Sequence, residues 1–261
     1  MTNAVIWGVG EPEALDLLAF GPHPDDVELF CGGLLIASAR RGHRVGVVDL
    51  TRGEMASNGT AAQRAEEARA AAQVMGLHWR ENLGLPDAGL APGDERAALA
   101  IVGALRRLRP EVVLAPWRQA RHPDHSAASA LVTRAAFLAG LRRVLPDAGP
   151  PWRPTQLLYY PMRYRLEPSF LVDTSDVIED KRRAIACYSS QVQQPADAAP
   201  TLIGAADALE ALEARERAWG ALIGARYAEA YRTTSALAID DPIDHLRRNQ
   251  HGPPHLFEEH G

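Results

Sequence analysis

Two cysteines, Cys31 and Cys187, in 261 residues cannot build a disulfide scaffold, which excludes the small secreted domains that rely on one. Lysine is scarcer still. Lys181 is the only one, so positive charge rests almost wholly on arginine. A formal net charge of −5 argues against non-specific nucleic-acid binding, and no nucleic-acid partner is expected. No apolar run approaches the ~20 residues of a membrane span. Residues 1–14 contain Glu11 and Glu13 but no Lys or Arg, so they lack the charged start of a signal peptide, and a cytoplasmic location is expected. What remains is ordinary: 46% hydrophobic and 23% charged residues, enough for one large domain.

The chemistry is concentrated in two stretches. Leu15 to Phe20 is an apolar run that feeds into Gly21-Pro22-His23-Pro24-Asp25-Asp26, and a helical pattern follows. His23 and Asp26 stand three apart, so one tight turn can aim both at a point, and their donor atoms suit Zn²⁺. Asp25 then points elsewhere, towards whatever the metal activates. The plainer alternative is that Asp25 or Asp26 caps the following helix. Val112 to Ala115 is a second apolar run, and it leads into Arg121-His122-Pro123-Asp124-His125 and another helical pattern. Either His122 or His125 can supply a third ligand, leaving the other for proton transfer. Asp124, two residues from His122, is placed to orient that imidazole and raise its pKa.

Between and beyond these stretches, apolar runs alternate with helical patterns through about residue 141. This predicts a doubly wound α/β fold: a mostly parallel, Rossmann-like sheet with helices on both faces, a single domain with irregular C-terminal additions. Ligands of such sheets bind at the carboxyl ends of the strands, where both motifs fall. Gln156 to Tyr160 and Phe170 to Asp173 are expected as antiparallel edge strands, and a helix is expected from Asp173 or Ser175 to Tyr188. Residues 1–14 are expected to be a poorly ordered leader, 15–235 the domain, and 236–261 a tail whose His251, His255 and His260 form no metal cluster. Arg64, in the first turn of the helix from Ala61, sits badly against the helix dipole, which hints at a separate task.

His23-Pro24-Asp25-Asp26 and His122-Pro123-Asp124-His125 resemble the paired motifs of the LmbE/PIG-L family of zinc-dependent N-acetylglucosamine deacetylases. Asp49-Leu50-Thr51-Arg52-Gly53-Glu54, Ser57-Asn58-Gly59-Thr60, Leu85-Pro86-Asp87-Ala88-Gly89-Leu90, Ala214-Arg215-Glu216-Arg217 and Tyr227-Ala228-Glu229 extend the resemblance over about Leu15 to Tyr231. They look most like the subgroup acting on N-acetylglucosaminyl L-malate in bacillithiol biosynthesis. The resemblance implies zinc on His23, Asp26 and His125, with Fe²⁺ or Co²⁺ able to occupy the same ligands. It also implies Asp25 as general base, and His122 as oxyanion donor and acid supported by Asp124. Arg64 and Arg121 would face a small-molecule N-acetylglucosaminide, and the assembly would be a homotrimer or hexamer. A tyrosine usual in the subgroup falls at Ala208, leaving Tyr159, Tyr160 or Tyr164 as stand-ins. The rival readings are a deacetylase or amidase for another N-acetylglucosamine conjugate, and a sugar-binding module with a vestigial metal site.

Overall fold

Four of the five parallel strands are largely apolar runs because they are buried on both faces, whereas the strand Trp79–Leu85 buries Arg80 and Glu81 with charged partners. The computed structural model describes residues 5–8, 14–192, 201, 204–205 and 207–248. Strand β1 (Val5–Gly8) comes first, followed by β2 (Leu17–Gly21), helix α1 (Asp26–Arg40) and β3 (Val45–Thr51). Next are α2 (Ala61–Met75), β4 (Trp79–Leu85), α3 (Glu95–Leu108), β5 (Val112–Pro116) and α4 (Pro123–Ala139). The C-terminal part supplies β6 (Gln156–Tyr160), β7 (Phe170–Asp173), α5 (Ile178–Ala186), α6 (Ser189–Val192), α7 (Ala208–Leu222), β8 (Ala228–Thr233) and α8 (Pro242–Arg248).

The sheet order is β1-β4-β3-β2-β5-β6-β8-β7, with β4 through β6 parallel and both margins antiparallel. The expected doubly wound fold is therefore present. Alternation along each strand divides the core: Leu18 and Phe20 of β2 join α3 and α4 on one face, while Leu17 and Ala19 join α1 on the other. Thr60 and Asp94 cap α2 and α3, accepting from the amides of Gln63 and Ala97 at 3.1 Å each. The direction of winding reverses between β2 and β5, whose carboxyl ends carry the two histidine motifs.

Several expectations need correction. Gln156–Tyr160, expected as an antiparallel edge strand, is β6, which lies inside the sheet, parallel to β5 and antiparallel only to β8. Val5–Gly8 of the expected leader is an edge strand antiparallel to β4. The helix expected up to Tyr188 opens as a 3-10 turn at Ser175–Val177 and ends as α5 at Ala186, and α6 begins beyond Tyr188, which is buried with its hydroxyl donating to Glu28 at 3.0 Å. Residues 228–233, for which no element was expected, form β8, and Glu229 is fully partnered inside. The Glu229 carboxylate accepts from the amides of Gly33 and Leu34 (2.7 and 2.8 Å), from Lys181 Nζ (2.6 Å) and from the Tyr231 hydroxyl (2.6 Å). Residues 236–248 of the expected tail include α8, while His251, His255, His260 and most of the irregular stretch 191–206 lie outside the described residues.

Only a glycine admits this close approach to α1. A Cβ on Gly33 would stand 2.7 Å from Thr174 Cγ2 and 2.8 Å from Glu229 Oε1. Gly33→Ala is expected to destabilise the fold by about 1–3 kcal/mol, read as a lower urea midpoint at unchanged slope.

Candidate metal centre and catalytic cleft

His23 lies in the turn between β2 and α1. His23 Nδ1 lies 3.1 Å from Asp26 Oδ2, and His125 Nε2 lies 3.3 Å from each of these atoms. Three donor atoms from two motifs about a hundred residues apart thus form a nearly equilateral triangle. Ligands of a tetrahedral ion with bonds of about 2.0–2.1 Å stand about 3.3 Å apart, so the donors are spaced for one cation and leave a fourth direction free. The charge balance agrees. Burial disfavours a protonated His23, yet Asp124, Asp26 and Asp87 outweigh it and hold its pKa well above the usual value. Asp26 is pushed down instead: burial opposes this, but the charges and hydrogen bonds of His125 and His23 prevail. So much carboxylate around two imidazoles suits a divalent ion.

The other nitrogen of His23 is also held. Its Nε2 faces Asp87 Oδ1 at 3.0 Å and Asp124 Oδ2 at 3.5 Å, an arrangement that fixes the tautomer and leaves Nδ1 as the ligand atom. Asp87 and Asp124 with His23 make a second cluster with metal-ligand spacing, as do His23, His122 and His125. The His23–Asp26–His125 triangle fits better because its edges are nearly equal. Asp87 is among the residues that sequence reasoning did not single out. Its signal was position, since it follows the carboxyl end of β4 directly.

Asp25 is no cap. It stands at the N-cap position of α1 with φ 114°, in the left-handed region, and its side chain makes no capping bond. A non-glycine residue there costs about 1–3 kcal/mol, and the gain is orientation: the carboxylate turns from the helix end into the cleft. Burial raises its pKa to about 7 against the opposing pull of Arg64.

Arg64 departs from the expected substrate contact. It is 3% exposed, its Nη2 lies 3.1 Å from Asp25 Oδ2, and it also donates to the Pro24 carbonyl. The guanidinium is packed against the turn and holds the carboxylate, and it does not line the cleft.

Asp124 departs too. Its carboxylate accepts from the amides of Ala88 (2.8 Å) and Leu90 (3.2 Å) and faces His23 rather than His122. His122 is the N-cap of α4, with Nδ1 accepting from the Asp124 amide at 3.2 Å. That bond leaves the proton on Nε2. Burial, then the nearby His23 and His125, lower the His122 pKa, contrary to the expected rise. His122 is therefore a neutral imidazole at neutral pH and a hydrogen-bond donor.

These groups line a cleft of about 170 Å³. Asp25, Asp26, His122 and His125 border it, Leu29, Phe30 and Met162 give it apolar walls, and Arg121 and Arg163 add two guanidinium groups. Arg163 was not anticipated, although it too follows a parallel strand, β6. The burial of Arg163 and its proximity to Arg121 lower its pKa. None of the tyrosines considered for the position at Ala208 borders the cleft. Tyr160 donates to the Phe20 carbonyl at 2.7 Å, Tyr159 pairs with Thr133 at 2.8 Å, and Tyr164 is exposed. A much larger groove between β7 and residues 237–241 brings no such ligand set together.

A doubly wound sheet with a His-Pro-Asp-Asp turn and a His-Pro-Asp-His helix start at its switch point defines the LmbE/PIG-L class of α/β deacetylases. The chain belongs to the PIG-L family: residues 18–136 match its GlcNAc-PI de-N-acetylase domain. It is 30% identical over 241 residues to the diacetylchitobiose deacetylase of Thermococcus kodakarensis, which covers 86% of this chain and 85% of that protein. The 2′-N-acetylparomamine deacetylase of Streptomyces fradiae is 30% identical over 204 residues, 67% of this chain and 72% of the relative. Among solved structures, the conserved protein TT1542 of Thermus thermophilus is similar at a TM-score of 0.79 and 42% identity, covering 87% of this chain and 98% of that one. No helix among the described residues is long and apolar enough to cross a membrane.

Proposed function

We propose that the protein is a divalent-metal-dependent deacetylase that hydrolyses the 2-acetamido group of an N-acetylglucosaminide, with an N-acetylglucosaminyl L-malate as its substrate. The observation that carries the reaction is the donor triangle of His23 Nδ1, Asp26 Oδ2 and His125 Nε2, with Asp25 beside it in the same cleft. Zinc, or Fe²⁺ in its place, would be held by these three residues and would supply Lewis acidity, acidifying a water and polarising the amide carbonyl.

The chain's own residues do the rest. Asp25 takes the proton of the attacking water, and its raised pKa keeps it a competent base near neutrality. His122 presents Nε2–H to the oxygen on which negative charge develops. Because His122 is held neutral, the proton that the departing amine needs returns from Asp25, which serves first as base and then as acid. Acetate and a free amine are the products.

The malate reading draws its support from Arg121 and Arg163, two guanidinium groups beside one small cleft, which match the carboxylates of such an aglycone. Both named relatives act on N-acetylated amino sugars, which supports the sugar half. The test is release of free amine from N-acetylglucosaminyl malate, N-acetylglucosamine and diacetylchitobiose, each with and without chelator. Expected is a kcat/KM for the malate conjugate at least about tenfold above the neutral sugars, about what one charge-assisted contact contributes, and loss of all activity on chelation, restored by zinc. Equal rates for the neutral and anionic glycosides would remove the malate assignment. Activity indifferent to chelator would remove the metal.

A further inference from the structure

Asp87 is joined to more than His23. Its Oδ1 faces His23 Nε2 at 3.0 Å, while its Oδ2 accepts from the Met55 amide at 2.8 Å. Its own amide donates back to Glu54 Oε1 at 3.0 Å. Glu54 and Met55 belong to the loop that leaves the carboxyl end of β3, and Met55 projects from it with 69% of its surface exposed. One carboxylate, with a side chain only 6% exposed, thus touches the proposed metal ligand with one oxygen and the loop with the other.

We infer that Asp87 is a positioning residue that links the metal site to the 52–59 loop, so that seating an ion on His23 orders this loop. The inference rests on the reading of His23 as a ligand. An imidazole that binds a cation through Nδ1 must carry its proton on Nε2, and Asp87 is the nearest acceptor for that proton. With the cation in place, Nε2–H is a better donor and holds Asp87 Oδ1 more firmly. The same rigid carboxylate then presents Oδ2 to Met55. Order in the loop and occupancy of the site therefore rise together, and each supports the other to the same extent. Asparagine cannot replace Asp87. It has a single acceptor oxygen, so its amino group must face either Nε2–H or the Met55 amide, donor against donor.

The test measures Zn²⁺ affinity by competition with a chromophoric chelator, and hydrogen exchange at amides 53–58 with and without Zn²⁺. It compares the unaltered protein with Asp87→Ala and Asp87→Asn. The unaltered protein is expected to slow exchange at these amides when zinc binds. Asp87→Ala should bind zinc about ten- to a hundredfold more weakly, and at saturating zinc its loop amides should exchange as fast as without metal. Asp87→Asn, which preserves shape and guards against a variant that fails to fold, should lose at least one of the two effects. Zinc affinity within threefold of the unaltered protein in the variants would overturn the inference, and so would loop amides that zinc still slows in Asp87→Ala as much as in the unaltered protein. Those results leave the deacetylase reading standing. Failure of the unaltered protein to bind zinc would overturn both.

Discussion

Asp25→Asn is expected to keep its divalent ion and lose about a hundred- to ten-thousandfold in kcat, the range that a positioned general base contributes. The substitution keeps the shape of the side chain and removes only its capacity to accept a proton. Asp25 is not one of the three donors that close the triangle, so bound metal, measured by atomic absorption after gel filtration, should match the unaltered protein. The pH profile gives a second readout. The ionised carboxylate is the active form, so activity rises as pH rises through its pKa. Burial sets that value at about 7 without a cation, Arg64 opposing it, and a cation alongside moves it lower. The acid limb of kcat/KM should therefore lie below pH 7 in the loaded enzyme and vanish in the variant. Full turnover in Asp25→Asn would leave the base unassigned.

His125→Ala is expected to lose metal and turnover together. It removes one of three donors, which should weaken zinc binding by more than the roughly hundredfold that loss of a supporting partner costs. Turnover should fall to the level of the chelated protein. His125 lies near the start of α4, after the cap, so the helix should persist and far-ultraviolet circular dichroism should be unchanged. Zinc retained at full stoichiometry would disprove the triangle. The two variants bear on different halves of the site, and the contrast between them separates proton transfer from ion binding.

That the two histidine motifs meet was legible in the sequence because the information is local. A buried parallel strand is a continuous apolar run, so its end is visible, and residues directly beyond it in two such runs must meet at the crevice. What was not legible depends on side-chain direction across the fold. Spacing put Asp124 beside His122, but at the second position of α4 its buried carboxylate turns away from His122 to the amides of Ala88 and Leu90. Arg64 registered as an awkward charge in a first turn, and only packing shows that its partner is Asp25. Strand β8 was hidden for a related reason: a glutamate in mid-strand reads as exposed until three donors from distant segments, and Tyr231 of its own strand, are found around it.

One of those donors is the ε-ammonium of Lys181, which also donates a hydrogen bond to Glu216 and, despite burial, has its pKa raised by the two glutamates. Since the chain has no other lysine, acylating dyes and amine-directed crosslinkers meet no accessible lysine side chain while the native state lasts. Covalent labelling at residue 181 thus becomes a built-in reporter: its rate follows the opening of the seam between α1, α5 and β8, and no second lysine competes for the reagent.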